Sequence, residues 1–216
     1  MTEVVTAGAA LKGTIRTLSP SEMPLLRDHL LRLDRDSRRN RFNGVVDDSF
    51  IEAYAARSAR DGTIVVAYLT GGEVHGAAEL HQPEKASSFL PEMAFSVERD
   101  VRRQGLGSKL FEKVLDAARR AGFERVRITT GSENEPMKAL ARKFGAHLTF
   151  AHGESTGIIE LDQVPSPSIV ADDADMSARA ARRRVVTPAD ATIAALEFNR
   201  WYWRQMFRAW TMPHSA

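Results

Sequence analysis

Cysteine is missing from all 216 residues. Its absence removes disulfides, thiolate metal sites and a cysteine nucleophile from the available chemistry, and it suits a reducing compartment. Long apolar runs are missing too. Nowhere do roughly 18 uninterrupted apolar residues occur, the length a membrane-spanning helix needs. The opening MTEVVTAGAALKG lacks a basic stretch followed by an apolar one, so no secretory leader is legible and a cytoplasmic protein is expected. Excess charge is small. Thirty Lys and Arg against 28 Asp and Glu leave +2, which is not the balance of a nucleic-acid-binding chain. The motifs GxGxxG and GxxxxGK[ST] do not occur, the one GxSxG match, Gly153 to Gly157, runs into a strand pattern and not into the helix of a nucleophile elbow, and no His, Asp and Glu cluster has metal-ligand spacing. Dinucleotide, phosphate-loop, serine-hydrolase and metal-dependent readings therefore have no support in the sequence, and no metal is expected.

What is present is organised around Pro91 to Gly122. Met93, Phe95 and Val97 alternate with Glu92, Ala94 and Ser96, the period of a half-buried strand. Leu110, Phe111, Val114, Leu115 and Ala118 recur at helical spacing, and Gly122 stands where a helix C-terminus is expected. Between them lies Arg102-Arg103-Gln104-Gly105-Leu106-Gly107. Residues without a Cβ let the backbone approach a ligand, and the unpaired N–H groups that open a helix suit phosphate.

Arg102, Gly105 and Gly107 match [RQ]-x-x-G-x-[GA], and by that motif and its flanks the chain resembles the GCN5-related N-acetyltransferases. Glu124 to Thr130 follows as a second strand, and ENEPMKALARKFGA, from Glu133 to Ala146, resembles the ENxxMxxLxxKxGF segment of that superfamily, especially of its bacterial protein-lysine acetyltransferases. The resemblance covers about Leu11 to Leu161. It implies an α/β acyltransferase fold with a mixed central sheet flanked by helices, in the order β-α-α-β-β-β-α-β-α-β-β. It implies acetyl-CoA as acyl donor and an amine as acceptor. For CoA it points to Phe95, Ser96 and Val97 through their backbone, to Arg102, Arg103, Gln104, Gly105, Leu106, Gly107 and Ser108 around the pyrophosphate, and to Asn134 on the pantetheine arm. As base it points to Glu92, which stands where the protein acetyltransferases carry a Glu in AEFA-like phrases. Glu79, on the preceding strand, is the runner-up, and His81 a third. The family's tyrosine acid falls on Ala141 here, so a tyrosine at that site is excluded.

Along the chain, Thr14 to Leu18 reads as a first strand. A helix capped by Ser19 or Ser21 follows, with Leu25, Leu26, Leu30, Leu31 and Leu33 as its apolar face. Asp34 to Phe42 reads as a basic loop, and its SRRNRF phrase resembles the acceptor-bordering segment of the protein acetyltransferases, which makes Arg38, Arg39 and Arg41 candidate acceptor contacts. Asp47 or Asp48 caps a second helix, and Thr63 to Leu69 with Val74 to Leu80 form a hairpin about Gly71-Gly72. His81 to Phe89 reads as a loop, and two strands, 146–150 and 157–161, close the domain. The division is an acetyltransferase domain at 11–162, a linker at 163–189 and an amphipathic helical extension at 190–212. All three tryptophans lie in that extension, whose aromatic arc suits packing on the domain, on a second copy or on a membrane surface.

The expected function is transfer of an acetyl group to a primary amine, with a protein lysine favoured. The alternatives are a small-molecule amine acetyltransferase and a non-catalytic acyl-CoA-binding regulatory module.

Overall fold

A computed structural model describes residues 11–82 and 90–161. The expectations for the linker, the aromatic extension and most of the loop after His81 lie outside the described residues. Alternating apolar residues produce seven strands: β1 (Thr14–Thr17), β2 (Ile64–Thr70), β3 (Glu73–His81), β4 (Glu92–Val97), β5 (Arg125–Gly131), β6 (His147–Ala151) and β7 (Glu154–Glu160). They form one mixed sheet in the order β1-β2-β3-β4-β5-β7-β6, antiparallel except where β4 meets β5. The β2–β3 hairpin turns on Gly71 and Gly72, both at positive φ.

Five helices flank the sheet: α1 (Met23–Arg32), α2 (Arg35–Phe42), α3 (Asp48–Arg60), α4 (Leu106–Arg120) and α5 (Glu135–Lys143). The order thus holds one helix more than the sequence suggested, because the basic stretch after α1 is helical. Asp34 caps α2 by accepting from the N–H groups of Asp36 and Ser37, both at 3.1 Å, and Asn43 closes it in the left-handed conformation. Only Ser37 and Phe42 of its eight residues are buried. With so little apolar face, periodicity carried no trace of it.

The main core lies between the sheet and α4 with α5. Met93, Leu110, Phe111, Val114, Val126 and Ile128 are buried there, and Phe111 stacks between Phe95 and Phe144 at 4.9 and 4.4 Å between ring centroids. Burial of these side chains stabilises the layer by about 1.5–3 kcal/mol each. The opposite face carries α1, α2 and α3. On α1 the buried stripe is Met23, Leu26, His29 and Leu30. Leu25 and Leu31, expected on that stripe, are only half-buried. His29 takes a buried place on the stripe that the leucine pattern did not include.

Candidate active site

β3 and β4 pair over six registers and β5 and β7 over seven, but the parallel β4–β5 ladder holds only Glu92 with Arg127 and Met93 with Ile128. Beyond Met93 the two strands part. Ala94 to Val97 on one side and Thr129 with Thr130 on the other line a cleft of about 540 Å³, closed above by Ser37, Asn40 and Arg41 and below by Asn134, Met137 and Leu140. An extended ligand entering here would meet strand edges whose N–H and C=O groups have no ladder partner across the gap.

At the mouth stands the turn into α4. Gly105 is its N-cap at φ +77°, and a Cβ built there meets nothing within 4 Å. The glycine answers to the left-handed backbone, which costs an L residue about 1–2 kcal/mol, and the space beside it is open. The α4 N-terminus has no side-chain cap, whereas Asp34, Asp47 and Asn134 cap α2, α3 and α5. Its first N–H groups and the dipole behind them face the mouth, an arrangement that suits a pyrophosphate. Arg103 is exposed there and takes φ +59°. Arg102, though it borders the cleft, turns its guanidinium inward, to the Val97 carbonyl at 2.7 Å and to Ser37 Oγ at 2.6 Å. It ties α2 and β4 to the turn. Gln104 donates to the Asp100 carbonyl, Leu106 is a core residue, Gly107 lies against Leu140, and Ser108 accepts from Lys143. Asn134 lines the cleft while its carboxamide caps α5 and donates to Thr130 Oγ1 at 3.0 Å. Of the residues expected around CoA, Phe95, Ser96, Val97, Arg102, Arg103, Gly107 and Asn134 line the cleft.

Glu92 begins β4 at the closed end of the split, 13% exposed, with Arg127 Nη2 3.2 Å from its carboxylate. Burial pushes its carboxyl up, and Arg127 with the Thr129 hydroxyl offsets this only in part. Glu79, across β4 at the register of Ala94, is fully buried. Arg41, 4% exposed, reaches it at 2.6 Å, and the Tyr54 hydroxyl donates to its other oxygen at 2.6 Å. Burial pushes Glu79 up as well, but Arg41, then His81 and Tyr54, outweigh it and hold the carboxyl below its ordinary value. His81 is the last residue of β3 and was expected in a loop. Burial lowers it to about 4, against the pull of Glu79, and its Nε2 lies 2.9 Å from the Tyr54 hydroxyl.

Of the three α2 arginines expected at an acceptor entrance, Arg41 lines the cleft, and Arg38 and Arg39 border a different hollow. Arg41 is engaged with Glu79, and Arg38 with Asp48 at 2.6 Å and the Leu31 carbonyl. Arg39 is exposed and borders a separate hollow with Arg35, Gly44 and Val45.

One cluster was not foreseen. Ser96 Oγ lies 2.9 Å from His29 Nε2, and His29 Nδ1 lies 2.9 Å from Glu98 Oε1. His75 and Arg32 hold the same carboxylate, at 2.8 and 3.1 Å. Burial pushes Glu98 up, but the hydrogen bonds from His29 and His75 bring it down to about 2. The sequence offered one signal, a histidine on the apolar stripe of α1, and its partners lie 67 and 69 residues away.

Comparison with known proteins adds to this geometry. The model of a family described as "Acetyltransferase (GNAT) family" matches residues 28–146, more than half of the chain. Among solved structures, the GNAT domain of S. lividans PAT is 19% identical, with a TM-score of 0.59 over 69% of this chain and 90% of that one. A GNAT superfamily phosphinothricin acetyltransferase from Sinorhizobium meliloti, solved with AcCoA, is 18% identical, with a TM-score of 0.52 over 69% and 88%. A ribosomal-protein-alanine N-acetyltransferase from Brucella melitensis is 19% identical, with a TM-score of 0.51 over 67% and 96%. At these identities the likeness establishes the fold.

Proposed function

The chain belongs to the acetyltransferase (GNAT) family, which makes it an acetyl-CoA-dependent N-acetyltransferase, and we infer that its acceptor is a primary amine, a protein lysine side chain in preference to a small amine. The observation that carries the inference is one cleft that runs from beside the uncapped N-terminus of α4 along the parted strands to Met93, the residue next to Glu92. The residues suit the donor. The turn offers N–H groups and Arg103 to the pyrophosphate, and the free edges of β4 and β5 offer hydrogen bonds to an amide-bearing arm. When bound, acetyl-CoA supplies an activated acyl group with a thiolate leaving group.

Glu92 is the base in this reading. An amine must lose a proton to attack, and a lysine ammonium with a pKa of about 10.4 is almost wholly protonated at neutral pH. A carboxylate raised by burial, beside Thr129 at the closed end of the cleft, suits that task better than one clamped by Arg41. The carboxylate of Glu154 lies near enough to Glu92 to push it further up, so this end of the cleft favours a cation. Protein lysine is supported by the resemblance of SRRNRF and ENEPMKALARKFGA to the protein-acetyltransferase branch, and α2, which carries the first phrase, borders the cleft. Incubation of the full chain with labelled acetyl-CoA against a cell lysate and an amine panel tests the reading. Label on lysines of proteins supports it, label only on small amines replaces the acceptor, and tight acetyl-CoA binding without transfer supports a regulatory module instead.

A further inference from the structure

Ser96, His29 and Glu98 come from β4, α1 and the residue after β4. They form a chain of two 2.9 Å contacts with the connectivity hydroxyl to Nε2 and Nδ1 to carboxylate. An ionised Glu98 accepts from Nδ1–H and thereby fixes the tautomer that leaves Nε2 as an acceptor for the serine proton. His29 is 0% exposed and meets Glu98 and Ser96 through its two ring nitrogens, and Arg32 and His75 hold Glu98 in place. Ser96 is 6% exposed, and that small exposure opens on the cleft assigned to acetyl-CoA. The histidine and serine stand outside the Glu92 and Glu79 pairs, and the proposed amine transfer uses neither side chain.

We propose that Ser96 is a second acyl acceptor of the cleft, activated by His29 and Glu98, through which the protein hydrolyses acetyl-CoA when no amine is bound. The Ser96 oxygen attacks the thioester carbonyl carbon while its proton passes to His29 Nε2. The C–S bond breaks and the proton goes to the departing thiolate, leaving an acetyl ester on Ser96 and free CoA. Water then attacks the ester carbonyl and gives a proton to His29. The ester bond breaks, that proton returns to Ser96, and acetic acid leaves with the other water proton and ionises in solvent. Donor and water are the only reactants. The backbone N–H groups of β4 that lost their partners where the sheet parts are the available donors to the carbonyl oxygen in both steps. The proposal rests on acetyl-CoA occupying the cleft.

The test uses the full chain with acetyl-CoA and no amine, following thiol release and, after acid quench, the intact mass and its location by peptide mapping. The wild type is expected to release CoA above the buffer blank and to carry an acetyl group on Ser96. Ser96→Ala should lower the release by about 10² or more while the variant still binds acetyl-CoA by calorimetry. Ser96→Cys keeps a nucleophile beside His29 and should retain the adduct as a thioester. Acetyl-CoA binding without acceptor-free release, or release that survives in Ser96→Ala, overturns the proposal and leaves the amine-transfer reading standing. A network that only anchors α1 to the sheet predicts a lowered Tm in Ser96→Ala with unchanged release. Absence of acetyl-CoA binding would overturn the cleft assignment together with the proposal.

Discussion

Glu79 and Glu92 stand on neighbouring strands and on one face of the sheet, each against an arginine, and burial pushes both carboxyls up. They end on opposite sides of the ordinary value because their partners differ. Arg41 approaches Glu79 at 2.6 Å, with the Tyr54 hydroxyl on the second oxygen, whereas Arg127 reaches Glu92 at 3.2 Å and Glu154 opposes it. A closely held charge and hydrogen bond to the ionised form outweigh desolvation, and a looser contact does not. The same pair of residue types therefore holds one carboxyl below its ordinary value and leaves the other above it, which is the contrast behind the proposal that Glu92 is the base.

The largest effect that would sharpen this contrast is on stability. Glu79→Gln leaves Arg41 buried without its counter-charge and should cost about 3–5 kcal/mol, read as a lower denaturation midpoint in urea at unchanged slope. Glu92→Gln should cost much less in the same measurement. An equal loss in both would mean that Glu92 is a tie as well.

Activity should rank the two the other way. Glu92→Gln keeps the shape and removes the basicity, so kcat with the true acceptor should fall by about 10²–10⁴ while acetyl-CoA affinity holds. The pH profile carries the sign. The base works only when ionised, and folding raises the Glu92 pKa, so the wild-type rate should climb with pH through a value above the ordinary carboxylate range. The variant should lose that limb. A limb that persists in Glu92→Gln would assign the proton to another group.

Next in size is the turn. Gly105→Val forces a β-branched residue to φ +77°, where L residues are strained, and distorts the N–H groups that open α4. Acetyl-CoA affinity by calorimetry should fall by about tenfold or more, the equivalent of the 1–2 kcal/mol that left-handed backbone costs. Unchanged affinity would remove the turn from the donor site.

The smallest effect is expected at Arg39→Ala. Arg39 is exposed and borders the separate hollow, not the cleft, so acceptor and acetyl-CoA KM should both stay within about twofold, the scale of a surface change of about 0.5 kcal/mol. A selective rise in acceptor KM would make Arg39 an acceptor contact.

These contrasts also show where sequence reasoning reaches. Strand β4, the turn and α4 were legible because each has its own period or its own punctuation, and the β2–β3 hairpin because two glycines mark it. The helix α2 was not, since seven of its eight residues are polar or charged and leave no apolar period, and its evidence is an Asp34 cap. The opposite fates of Glu79 and Glu92 were not legible either. They depend on Arg41 and Arg127, which are 38 and 35 residues away and meet their carboxylates only through the fold. For the same reason Ser96 was read for its backbone alone, and His29 was not read at all.

The two registers that join β4 to β5 have a consequence for the protein without its donor. Its sheet is two hydrogen-bonded ribbons, β1 to β4 and β5 with β7 and β6, hinged at Glu92 and Met93 and carrying a pair of interior edges. Edges of that kind invite a stray strand from another molecule. A donor lying between them would act as an eighth strand without side chains and deny that surface to other partners. Amide exchange along 94–97 should then slow on acetyl-CoA binding more than exchange anywhere in α4.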